Sequence, residues 1–148
     1  MKNILIGKGL DKIPFGLDQD QLKAILGAPD EIEKSPTVNP DEPSSEVWHY
    51  DEAELSALFD YYDNTWELVS LATTAEDALL NGVKLIGLQK KEVIQAIQKL
   101  SLGKYTIEDL STEENAHDSI MSFEATGIDF WFEANTLIEI QWSPIIEE

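Results

Sequence analysis

The chain has no cysteine, no arginine and only two histidines, and its apolar runs stay far below the ~20 residues that a membrane-crossing helix needs. Without cysteine there is no disulfide framework and no thiol nucleophile, and the composition fits a reducing compartment. Without arginine the forked guanidinium that grips phosphate in two places is missing. All ten basic residues are lysines, set against 29 acidic residues, for a net charge of -19. That balance argues against nucleic acid and anionic membranes, both of which require cationic contacts. The N-terminal run Met1 to Lys8 has too short an apolar stretch for a signal peptide, so the expected location is cytoplasmic.

What is present suffices for a folded core. Hydrophobic residues make up 43% of the 148, unlike a disordered acidic tail. The surplus of acid has two readings, and both stand: solubility through self-repulsion, or recognition of a basic partner.

The order of sequence features occurs twice. Phe15-Gly16-Leu17-Asp18 followed by an apolar helical stripe (Leu22, Ile25, Leu26) has its counterpart in Ile86-Gly87-Leu88-Gln89 followed by Val93, Ile94, Ile97 and Leu100. Asp18 with Gln21, and Gln89 with Glu92, have capping-box spacing. Gly27 and Pro29 stop the first helix, and Gly103 follows the second. A polar loop comes next in each half, Ser35 to Ser45 with Pro36, Pro40 and Pro43, and the acidic Glu108 to Asp118. Alternating runs then predict three strands per half, near Glu46–Tyr50, Leu55–Tyr61 and Leu68–Thr73, and near Ser119–Glu124, Ile128–Glu133 and Leu137–Ser143. The expected fold is therefore α+β: two tandem repeats, residues 1–74 and 75–148, folding as one unit. Each would place one helix on a three-stranded antiparallel meander, and the meanders would join into one sheet with an open face.

The residues from Phe15 to Asp30, with Trp48-His49-Tyr50 after them, resemble the repeat of SmpA/BamE-like lipoproteins and β-lactamase inhibitor proteins. That pattern is Phe-Gly-Met, a Ser or Thr cap, and a helix ending in Gly-x-Pro. Here Leu17 replaces Met and Asp18 replaces the hydroxyl cap, and the second half lacks the Gly-x-Pro stop. The resemblance implies a tandem protein whose concave sheet grips another protein. By type, a small acidic chain is also similar to immunity proteins of bacterial toxin systems.

No catalytic constellation is read from the chain. His49 and His117 stand in a strand and an acidic loop, and no nucleophile–base motif accompanies them. Asp60, Asp63, Asn64 and Glu67 lack the spacing and central glycine of a calcium hand. Neither a metal nor a cofactor is expected, and the chain is read as a non-enzyme. Binding is legible in the alternation. His49, Ser56, Leu58, Asp60 and Ser70 share the face turned away from the helices with Ser122, Asp129, Trp131, Glu133, Glu139 and Gln141. A second patch, Tyr62, Asp63 and Trp66, lies at a hairpin tip. Phe59, Phe123, Phe130 and Phe132, with Trp48 and Tyr50, alternate toward the core. The expected partner is a basic protein, such as a toxin or nuclease domain, met by Leu58, Asp60, Tyr62, Asp63, Trp66, Asp129, Trp131, Glu133, Glu139 and Gln141. The expected function is an immunity or inhibitor protein. A structural or assembly factor is the alternative, and a small-ligand binder a third.

Overall fold

The computed structural model describes residues 2–34, 45–62, 64–114 and 116–145. The proline-bearing stretch 35–44, with Asp41 and Glu42, and Asp63 of the hairpin tip lie outside them. In chain order the elements are β1 (Lys2–Leu5), β2 (Gly9–Leu10), β3 (Ile13–Pro14), α1 (Gln19–Leu26), β4 (Glu31–Lys34), β5 (Ser45–Tyr50), β6 (Leu55–Tyr62) and β7 (Thr65–Thr73). Then follow β8 (Ala78–Leu80), β9 (Val83–Lys84), α2 (Lys90–Ile97), β10 (Thr106–Asp109), β11 (Ser119–Phe123), β12 (Ile128–Glu133) and β13 (Thr136–Trp142).

These elements overturn the expected α+β plan of one helix on three strands per half. The protein is mostly β, built on two sheets. An eight-stranded sheet runs β10-β11-β12-β13-β7-β6-β5-β4, and a five-stranded sheet runs β3-β2-β1-β8-β9. Two departures produce the difference. The segments near Ile4 to Phe15 and Leu79 to Ile86 form a sheet of their own, from strands too short to show a period of two. Each half also adds a fourth strand to the large sheet, β4 or β10, in stretches so exposed and polar that they read as loop. These two are the sheet's edges, and their charged residues discourage pairing with another chain. The helices are only eight residues each.

The two halves meet at the centre of the large sheet. Strands β7 and β13 pair antiparallel, with Ala72 opposite Gln141 and Leu71 opposite Trp142. A shared local device recurs on both sides of this seam. Gly16, at φ 94°, donates its N–H to the carbonyl of Leu68, whose own N–H returns to Leu17. Gly87, at φ 99°, does the same with Leu137, whose N–H returns to Leu88. Each of these leucines sits beside a β-bulge. Leu58 faces Ser70 while Phe59 faces Leu68, leaving Val69 over; Trp131 faces Glu139 while Phe132 faces Leu137, leaving Ile138 over. The positive-φ residues Asp11 and Asn81, and Glu54 and Gly127, match in the same way.

One face of the large sheet is the core. Trp48, Phe59, Leu68, Met121, Phe130 and Trp142 belong to a single buried cluster with Ile4, Leu10 and Leu80 of the small sheet and Leu22 and Val93 of the helices. Trp142 ties the sheets together, its indole N–H donating to the Gly9 carbonyl at 2.8 Å. Ile25, assigned to the apolar stripe of α1, stands 44% exposed instead. No helix among the described residues is long and apolar enough to cross a membrane.

Candidate functional site on the open sheet face

The other face of the eight-stranded sheet is the candidate site. Cross-strand partners share a face, so the registers place its members row by row. Val47 lies opposite Leu58, and Leu58 opposite Ser70; His49 lies opposite Ser56, and Ser56 opposite Ala72. Ala72 meets Gln141 across the seam, Gln141 meets Asp129, and Glu139 meets Trp131. Asp60 pairs with Ser45 and Glu67 at one end, and Glu133 is exposed at the end of β12. Leu58 and Trp131 are three strands apart and are also offset by four residues along the strands, which separates them by roughly 20 Å at the usual strand spacing and rise. They hold equivalent places in the two halves, since each is the last residue paired before its bulge.

The centre of this face is a shallow pocket of about 210 Å³ that straddles the seam, lined by His49, Ser56, Leu58, Ser70, Glu139 and Gln141 among others. Its polar groups form two chains. Ser56 Oγ lies 2.8 Å from His49 Nδ1, and His49 Nε2 lies 3.0 Å from Glu33 Oε1. Gln141 Nε2 donates to Ser70 Oγ at 3.3 Å, Ser143 Oγ lies 3.2 Å from it, and Ser70 donates to the Trp142 carbonyl. Glu139 joins neither chain. Burial raises its carboxyl pKa above the ordinary range, and the nearby His49 offsets only part of that. Beside it, the indole N–H of Trp131 is buried without a hydrogen-bond partner among the described residues. Asp60 is partly committed, because Ser45 donates to it at 2.7 Å.

The structure gathers Leu58, Asp60, Asp129, Trp131, Glu133, Glu139 and Gln141 on this one face. It separates Trp66, which packs against the core and against Tyr61 with ring centroids 5.2 Å apart. Tyr62 ends β6, and its side chain, like the whole of Asp63, is outside the described residues. Sequence reasoning missed Glu33, which holds His49, because β4 was not recognised; the alternation Glu31-Ile32-Glu33 was the available signal. The Glu33–His49–Ser56 chain has the residue types of a charge-relay set. Ser56, however, stands on an interior strand whose ladder runs to both neighbours, which is a poor place for amides to converge on a developing oxyanion. Among the described residues no group of three or more His, Asp or Glu side chains is placed to hold a metal ion.

No family model matches the chain, and no curated protein matches it. Among solved structures it is similar to an extracellular protein containing an SCP domain from Bacillus anthracis str. Ames, at 14% identity and a TM-score of 0.45. That match covers 87% of this chain and 43% of the other, so the chain spans less than half of that protein's length. A likeness at this level assigns no activity.

Proposed function

We propose that this protein is a non-enzymatic binding module that uses the open face of its eight-stranded sheet to hold a basic protein. The observation that carries the reading is the pair Glu139 and Trp131. Among the described residues, a half-buried carboxylate outside the hydrogen-bond network and a buried N–H with no acceptor stand side by side across β12 and β13. Unsatisfied polar groups at such a depth cost free energy in the isolated protein. A cation arriving from a partner would pair with the carboxylate, and the part-exposed Trp131 ring would offer it apolar surface alongside. Leu58 and Trp131 supply the apolar anchors, and Asp60, Asp129 and Glu133 supply the polar rim expected around them.

The concrete form is an immunity or inhibitor protein that covers the basic active site of a toxin or nuclease domain. Its surplus of acid speeds encounter with such a partner. The resemblance to inhibitor proteins that grip their targets through a sheet points the same way. The test is a pull-down with the wild-type chain and with the Asp129→Lys, Glu133→Lys, Glu139→Lys triple variant as baits, at low and moderate salt. The reading expects one basic protein retained by the wild type, lost by the variant, and inhibited in its own activity when bound. Identical captures by both baits would remove the open face from consideration.

A further inference from the structure

A second surface is exposed by comparing the two halves. Where the first helix leaves the core, a groove of about 540 Å³ lies open, lined by Leu10, Ile13, Ile25, Leu26, Ala53 and Leu55. Its lining is almost wholly apolar, with Asp11 and Lys12 at the rim. The counterpart position in the second half is covered by the chain itself. Thr126, which corresponds to Ala53, donates its hydroxyl to the Leu102 carbonyl at 3.1 Å. Leu102 is only 2% exposed, and Leu100 packs against the core beside it.

The cause is the length of the connection after each helix. From Ile97 to Thr106 the chain has room to fold back over the Thr126 turn. From Leu26 to Glu31 it does not. Gly27 and Asp30 lead it straight to the edge strand, with the Gly27 carbonyl held by Tyr50 and the Asp30 N–H by the His49 carbonyl. Among the described residues, the first half therefore keeps the apolar floor but lacks the cover.

The cover also shows what chemistry the groove accepts. The segment Lys99-Leu100-Ser101-Leu102-Gly103-Lys104 carries two leucines between two lysines. The open groove has the complementary rim, because Ala53 is flanked by the exposed acids Asp51, Glu52 and Glu54, and the exposed Asp11 also lines it. We infer that this groove docks a leucine-bearing, lysine-flanked segment of a partner protein, seated on the first half as residues 99–104 are seated on the second. This surface is separate from the open sheet face, and the inference does not depend on that face binding anything.

The test uses the full chain and a synthetic peptide with the sequence of residues Gln98–Lys104. Titration followed by methyl and amide NMR shifts should saturate, with changes confined to Leu10, Ile13, Ile25, Leu26, Ala53 and Leu55. Serine in place of both peptide leucines should weaken binding about tenfold or more, the worth of burying one aliphatic side chain. Added salt should weaken the native peptide as well. Ala53→Trp, which fills the groove, and Ile25→Ser, at an exposed position, should each weaken binding by a similar factor while thermal unfolding stays unchanged. No saturation at millimolar peptide, shifts on the open sheet face, or equal binding by the serine peptide would each overturn the inference. So would self-association of the wild type that Ala53→Trp abolishes, since the occupant would then be a second copy.

Discussion

Trp131 and Glu139 face each other across β12 and β13, at the last paired position before the bulge, and neither has its polar group hydrogen-bonded among the described residues. Trp131→Phe keeps a ring on the sheet and deletes the orphan N–H. Stability in urea should stay level or rise by up to about 1 kcal/mol, since an unsatisfied buried donor is removed. Affinity for the basic partner should fall about tenfold or more if the indole is an anchor. A variant that loses stability but keeps full affinity would make Trp131 a packing residue only.

Glu139 should make stability depend on pH in a defined sense. Its folded-state pKa is raised, chiefly by burial. The folded state therefore binds the proton more tightly than the unfolded state. The stabilising contribution is fully present below the unfolded carboxylate pKa and is lost as pH rises through the folded value. Glu139→Gln mimics the protonated form, so it should unfold at a higher temperature than wild type at pH 7. The gain should be small, roughly 1–3 °C, because solvent still reaches the carboxylate. It should vanish as the pH approaches 4. A constant difference between pH 4 and 7 would show that the shift arises elsewhere.

How far the chain could be read before folding is plain from particular residues. The alternation of Ile128, Phe130 and Phe132 against Asp129, Trp131 and Glu133 places β12 and both of its faces correctly. The same rule fails on β13. Counting back from Ile140 and Trp142 by twos puts Ile138 in the core, but it is 39% exposed and Leu137 is fully buried. The bulge absorbs one residue there, and no local signal in Leu137-Ile138-Glu139 announces it. The five-stranded sheet was illegible for a different reason. Strands as short as Gly9–Leu10 and Val83–Lys84 are specified by distant partners, such as Trp142 on Gly9, rather than by their own composition. At the site, the face of Glu139 followed from periodicity, but its lack of a hydrogen-bond partner did not. The packing of Trp66 against the core was not legible either, because a tyrosine- and acid-rich tip looks the same in sequence whether its indole turns outward or inward.

The glycines at the start of each helix should be equivalent in cost. Gly16 and Gly87 both hold φ near the left-handed side, at 94° and 99°, and both donate to a leucine beside a bulge. A Cβ at either meets little, the nearest atom being a glutamate side chain at 4.0 or 3.8 Å. The penalty is therefore backbone strain rather than a clash. Gly16→Ala and Gly87→Ala should each destabilise by about 1–2 kcal/mol, and by similar amounts. Urea denaturation measures both. A cost confined to one of them would mean that the two helix entries are not equivalent in energy, despite their matching hydrogen bonds.

Trp142 provides the test of whether the halves unfold together. It is fully buried in β13, pairs with Leu71 of the first half, and donates its indole N–H to Gly9 in the other sheet. Gly9 has no tolerance of its own, since an added Cβ would lie 2.0 Å from the Ile13 carbonyl oxygen. Trp142→Phe removes volume from the core and orphans the Gly9 carbonyl, which together should cost about 2–4 kcal/mol. For a chain of this size that lowers the melting temperature by roughly 5–12 °C. Strand β1 pairs in parallel with β8 of the second half, so the small sheet spans both halves as the large one does. The loss should therefore appear in a single transition, seen alike in the fluorescence of Trp48 and of Trp131 when each is kept as the sole tryptophan beside position 142. Two separated transitions, or a loss below 1 kcal/mol, would show that the two halves fold independently and that the contact between the sheets contributes little.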